Sequence, residues 1–300
     1  MDWMARIEDT AARFRAGEAE VSRTFFSQPR PLKQHAHALR IQVAREVRNL
    51  REISQGELTK CVDRTDHGVS REDLVAELAE HYFEIRHYAT LAYLLEGIDG
   101  ERVDWKELDV RRDTAEWTQY GRREKECRDK WAVLSPLHSA AGSFNSGGAG
   151  SVAYGVIGLK GGAYEELLAE VGKIILHDEM AHGKVLGNRH PLYDLVKTEK
   201  DAEKALEVIR EYSAIRLNGR NYQYGDPLSQ ERIEAIVRGE IEPLSLETLK
   251  NACRGAIDEV EWFERYHAAS KPLSATTILR GEPMMTKEKT NEGCYESKAK

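Results

Sequence analysis

The chain has 300 residues, with 44 Lys and Arg against 51 Asp and Glu, a net charge of −7 at pH 7. That balance argues against a general nucleic-acid surface, and the length suffices for one large helical domain. Four scattered cysteines, Cys61, Cys127, Cys253 and Cys294, are too sparse for a disulfide scaffold and too far apart for a zinc knuckle, so they read as ordinary thiols of a reducing compartment. No apolar run approaches the roughly 20 residues that cross a bilayer, and the opening Met1-Asp2-Trp3-Met4-Ala5-Arg6 lacks the character of a signal peptide. The cytoplasm is the expected location, with no membrane partner.

Helical periodicity predominates and strand signals are few, which predicts an all-α fold. A first amphipathic helix is expected over 3–26, interrupted by Gln28-Pro29-Arg30-Pro31, and a second over 32–53. Ser70 with Asp73 resembles a capping box opening a third helix that runs to about Glu96, before Gly97 and Gly100. A fourth is expected over 110–135. Eight glycines then fall within 142–162, consistent with either a flexible loop or a tightly packed helix of small residues. The run lacks the phosphate-binding Gly-x-x-x-x-Gly-Lys-Ser/Thr pattern. Further helices are expected over 163–187, 199–223, 228–238 and 245–269, and the Lys-rich ending from Lys271 reads as disordered. The expected organisation is an N-terminal helix and linker over 1–31, a helical-bundle domain over 32–270 and a tail over 271–300.

Chemistry shows in where polar residues fall on the helix faces, since successive side chains lie about 100° apart. Over 167–186, Leu168, Val171, Ile175, Val185 and Leu186 form an apolar face, with Glu179 and His182 in its middle and Asp178 at its edge. Over 74–95, Glu84 and His87 share a side with Leu91 and Leu94. Over 32–53, the stripe of Leu39, Val43, Val47 and Leu50 includes Glu46. Near the C-terminus, Glu264 and His267 border the stripe of Leu249, Cys253, Ala256, Val260 and Phe263. An ionised carboxylate on an inward face costs several kcal/mol unless a cation, a salt bridge or a hydrogen-bond network satisfies it. Each pair therefore has two readings, a metal ligand set or a buried structural hydrogen bond.

A Glu and a His three residues apart present a carboxylate oxygen and an imidazole nitrogen on one face, able to grip one ion. Glu84-Ile85-Arg86-His87 and Glu179-Met180-Ala181-His182, with Glu46 ahead of them, resemble the ferritin-like di-iron carboxylate superfamily, in which two helices each give Glu-x-x-His and two others each give a Glu. The second lone Glu of that pattern falls in the glycine-rich segment, which has no acid; Glu124, or Glu116, or Glu264 with His267, would take its place. A second resemblance, to the haem-oxygenase-like di-iron oxidases, fits Glu84, His87, Asp178 and His182. Either resemblance implies a helical bundle with extra C-terminal helices and two iron ions, with manganese as an alternative. The activity implied is an oxidase or oxygenase that uses O₂ and an external electron donor on a small organic substrate, and a homodimer fits such a bundle. A metal-storage or metal-handling protein and a metal-free helical interaction protein are the alternatives.

Other polar groups read as structural. His35 and His37, two apart, point in different directions on a helix and are expected at the surface. Arg216, Asn218, Arg220, Asn221 and Tyr222 form a polar cluster expected to close a helix in salt bridges. Tyr82, Tyr88 and Tyr93 are expected to pack in the core.

Overall fold

Asp2 starts the first helix by accepting the backbone N–H groups of Met4 and Ala5, the usual role of an N-terminal cap. In the computed structural model, which describes residues 2–52, 71–100, 102–103, 115–145, 152–153, 155–157, 159, 163–185, 190–243 and 245, this helix is α1 (Trp3–Phe26). The prolines at 29 and 31 separate it from α2 (Leu32–Glu52). Next come α3 (Arg71–Asp99), closed by Gly100 in the left-handed region at φ 73°, and α4 (Ala115–Ala132). Helix α5 (Pro136–Phe144) follows, then α6 (Ala163–Val185) and the single turn α7 (Leu192–Leu195). The last two described helices are α8 (Glu199–Gln223), opened by a capping box between Thr198 and Asp201, and α9 (Gln230–Arg238), closed by Gly239 at φ 73°.

The fold is all-α, and no strand occurs among the described residues. Helix α5 was not anticipated, although Ser135 capping it and Pro136 in its first turn are a local start signal. The Ser70 cap, the helix expected over 245–269 and the tail lie outside the described residues. None of the described helices is long and apolar enough to cross a membrane.

Three apolar cores organise the helices. Leu39 and Val43 of α2, Leu91 and Leu95 of α3, Ala153, Val156 and Ile157, and Leu168, Val171 and Ile175 of α6 form the first. The second joins Ile7 and Ala11 of α1 to α4, α5, Leu192 and the Leu206–Ile209 stretch of α8. The third joins Phe14, Val21 and Phe25 of α1 to Leu217 of α8 and to Ile233 and Ile236 of α9. Helix α1 thus belongs to two cores.

Within the glycine-rich segment, residues 152–153 and 155–157 are buried. A Cβ on Gly155 would sit 1.7 Å from Ser22 Oγ, and one on Gly172 would sit 2.6 Å from Val156 Cγ2. Glycine is what lets this segment wedge between α1 and α6. Tyr82 and Tyr93 do not pack in the core. They are 46% and 74% exposed, because α3 is apolar around most of its circumference and the first core takes only one side of it.

Candidate metal centre

Helices α2, α3 and α6 each turn an acidic position toward the first core. Glu46 on α2 and His87 on α3 are buried, Glu84 is partly buried, and each offers a ligand atom within 4.8 Å of the others. Asp178 and Glu179 on α6 complete the surroundings; Asp178 is fully buried and Glu179 partly so.

Burial, then the Glu84 carboxylate, push Glu46 up to about 8, while His87 and a hydrogen bond from Gln42 pull the other way. Burial also raises Glu179, to about 7, with His87 opposing and Glu84 adding to the rise. Burial disfavours a charged His87, but the hydrogen bond to Asp178 and the charges of Glu46, Asp178 and Glu179 outweigh it and raise its pKa. Among the described residues the site therefore gathers four carboxylates, Glu46, Glu84, Asp178 and Glu179, against His87 and Arg86. Such a group holds protons or a cation.

Asp178 serves a different purpose from the other acids. Its Oδ2 accepts from Arg86 Nε at 3.0 Å and lies 3.0 Å from His87 Nε2, and Arg86 Nη2 donates to Oδ1. Both oxygens are thus engaged, so Asp178 orients the His87 ring, as carboxylates commonly do for ligating histidines. Arg86 also lies over the Tyr82 and Phe83 rings.

Glu46 is held in turn. Gln42 Nε2 donates to Glu46 Oε1 at 2.6 Å. Gln42 Oε1 accepts from Arg220 Nη1 at 2.7 Å and from Gln223 Nε2 at 3.2 Å. Arg220, 1% exposed, also reaches Glu18 Oε2 at 3.4 Å, and Arg216 Nε lies 3.5 Å from Glu18 Oε1. The cluster Arg216 and Arg220 therefore does not merely close a helix. It forms a buried polar seam where α1, α2, α4 and α8 meet.

Comparison with known proteins finds no matching family model, no matching curated protein and no matching solved structure. The site must be read from its own geometry.

Of the residues expected from sequence, Glu46, Glu84 and His87 come together, with Glu179 close enough to influence Glu46 and His87 electrostatically. The structure sets Glu124 in the seam instead, 5% exposed, where its Oε1 accepts from Arg45 Nη2 at 3.4 Å. The side chain of His182, the side chain of Glu116, and Glu264 and His267 lie outside the described residues. Arg45 is pushed down to about 9, by burial first and by Arg220 next, with Glu124 opposing. Glu18 and Gln42 were not singled out from sequence. For Glu18 the available signal was its place among Ala16, Gly17 and Ala19, small residues that let a neighbouring helix approach.

His35 corrects the surface expectation for the His35-Ala36-His37 pair. It is 3% exposed, with its ring 4.7 Å from Tyr164 and 5.3 Å from Phe25. His37 is exposed, as its direction on α2 requires.

Proposed function

We propose that this protein is a non-haem metal-dependent oxidase or oxygenase that holds two iron ions between α2, α3 and α6 and uses O₂ to oxidise a small organic substrate. The observation that carries the reading is the convergence of Glu46, Glu84 and His87, with ligand atoms within 4.8 Å, in the interior of a helical bundle. Around an ion with bonds of about 2.1 Å, neighbouring octahedral ligands lie about 3.0 Å apart and opposite ones about 4.2 Å. The ligand atoms of Glu46, Glu84 and His87, within 4.8 Å of one another, have a spread of that order. Carboxylate and imidazole donors suit Fe²⁺ and Mn²⁺, and no thiol among the described residues joins them. Glu179, with His182 one turn further along α6, would supply the second ion's ligands.

The chain's own residues would act as follows. Glu46, whose pKa burial raises to about 8, would release a proton on binding a cation. With Nε2 facing Asp178, His87 would ligate through Nδ1. The apolar first core would limit water around the buried Glu46 and His87. When bound, iron would supply the redox chemistry toward O₂, with an external donor providing electrons.

The test is elemental analysis of protein purified after iron supplementation, beside Glu46→Gln and His87→Ala variants checked by circular dichroism. About two irons per wild-type chain, lost in the variants, together with O₂ consumption on reduction, support the reading. Iron without O₂ consumption points to metal handling. A wild type that stays metal-free after anaerobic reconstitution with Fe²⁺ and with Mn²⁺ overturns both.

A further inference from the structure

A cavity of about 40 Å³ lies in the first core beside the site. Gln42, Leu91 and Ile175 are in its wall, and each stands four residues from Glu46, His87 and Glu179, on α2, α3 and α6. The cavity therefore lies one helical turn, about 6 Å, below the cluster on all three helices. Its remaining wall is largely apolar, with Leu39, Val156 and Leu168 facing it.

The polar groups in that wall differ sharply in how they are satisfied. Gln42 and Gln223 spend their amides on Glu46, Arg220, the Ala38 carbonyl and each other. His35, at the far end of the wall, has a buried Nδ1 with no hydrogen-bond partner among the described residues. Burial lowers the pKa of His35, against Glu165 and a backbone hydrogen bond to Arg30 that raise it; in the neutral tautomer that carries its proton on Nε2, the buried Nδ1 is an acceptor. A buried acceptor left unmatched is costly, and a ligand that brings one donor removes that cost.

We propose that this cavity binds a small uncharged molecule with an apolar body and one hydroxyl, a short-chain alcohol, whose O–H donates to His35 Nδ1 while its alkyl end points along α2 toward Gln42 and the cluster. The volume decides the size. A water needs roughly 10–15 Å³ on this scale, so the cavity takes about three or four heavy atoms. Anions are disfavoured, because among the described residues no cationic side chain lines the space, and Arg220 reaches it only through Gln42 and Gln223. As the substrate class of the oxidase, the alcohol rests on the reading above; as a bound ligand it does not, since the cavity needs no metal.

The experiment is a titration of metal-free protein with ethanol and 1-propanol, followed by the ring ¹⁵N shifts of the histidines and the methyl shifts of Leu39, Leu91, Leu168 and Ile175. The ceiling on binding energy per heavy atom places saturation at about millimolar. The expected result is a saturable shift of His35 Nδ1 and those methyls, with those of Leu206 and Ile209 in the second core unmoved. His35→Phe keeps the ring and loses the acceptor, and should weaken binding about tenfold. If that variant does not fold, Ala38→Leu, which fills the cavity, should abolish the shifts. Absence of saturable shifts in folded wild type, tighter binding of 1-hexanol than of ethanol, or equal binding by folded His35→Phe overturns the proposal, the last by showing that the alcohol makes no bond to His35. Alcohol binding by a chain that takes up no iron sinks the oxidase and leaves the ligand site, whereas iron uptake without alcohol binding does the reverse.

Discussion

Gln42 donates from Nε2 to Glu46 Oε1 across 2.6 Å, from one turn earlier on the same helix. Its amide cannot turn over, because Oε1 is occupied by Arg220 Nη1 at 2.7 Å and Gln223 Nε2 at 3.2 Å. Helix α8 thereby fixes which atom of an α2 side chain faces the cluster. Gln42→Leu removes the donor, keeps the approximate volume and leaves Arg220 its bond to Gln223. Iron affinity should fall about 10- to 100-fold, the usual range for losing a group that orients a ligand. Competition with a chelator measures this, and circular dichroism should show a folded chain. An unchanged affinity would mean that Gln42 only fills space.

Asp178 controls the protonation pattern of His87. Opposite a carboxylate, a neutral His87 carries its proton on Nε2, which makes Nδ1 the unprotonated ring nitrogen. Asp178→Asn reverses this when the amide donates to Nε2, because the ring proton then moves to Nδ1 and blocks ligation. The variant should lose about 10- to 100-fold in iron affinity, and ring ¹⁵N shifts should report the switched tautomer. Its stability cost should be about 1–3 kcal/mol, since Arg86 loses its ionised partner but stays 27% exposed and is relieved by solvent.

Metal-free protein should lose stability as pH rises. Glu46 moves from an ordinary 4.5 to about 8, and Glu179 from 4.5 to about 7. Between those limits the folded chain keeps protons that the unfolded chain has released, so the unfolding free energy falls with rising pH until about 8 and then levels. His87, also raised, adds in the same direction: its contribution is complete below its unfolded value of 6.5 and is lost as pH climbs through its higher folded value. Thermal melts at pH 5.5 and 8.5 should therefore show the higher midpoint at 5.5, and Glu46→Gln should flatten the difference. Saturating Fe²⁺ under anaerobic conditions should abolish it, with proton release on binding near neutral pH.

The inward-facing polar positions were readable because a 3.6-residue period converts sequence into direction. Glu46 falls within the stripe of Leu39 and Val43, and His87 one turn from Leu91, and all of these flank the first core. Period alone failed where a helix has no unique apolar side. Helix α3 buries Leu91 and Leu95 but exposes Leu78, Tyr82, Ile85 and Tyr93, and only the packing partners select between them. It failed again where a charge is buried by a distant partner. Arg220 looks like a solvated residue until Glu18, 202 positions earlier, is placed beside it. His35 was misjudged for the same reason, since the aromatic rings around it come from α1 and α6.

Glu18 should be among the most costly acidic residues to remove. It is 1% exposed and faces two guanidiniums, Arg216 at 3.5 Å and Arg220 at 3.4 Å, which are themselves 5% and 1% exposed. Burial lowers the pKa of Arg216, but Glu18 foremost, then Tyr212, reverse the effect and keep it charged. The seam holds Arg45, Arg216 and Arg220 against Glu18 and Glu124, so it already carries one surplus positive charge. Glu18→Ala would leave three buried guanidiniums with one carboxylate, and should destabilise the chain by about 3–5 kcal/mol, the range seen when one member of a buried ion pair is deleted. Glu234, which pairs with Arg238 at 3.5 Å on the exposed face of α9, supplies the control: Glu234→Ala should cost less than about 1 kcal/mol. Urea denaturation of both variants measures the contrast. Equal, small effects would mean that water reaches the seam and screens its charges. A large Glu18 effect, with Gln42→Leu close to neutral for stability, would locate the stabilising part of the network between α1 and α8 and leave its α2 arm to hold Glu46.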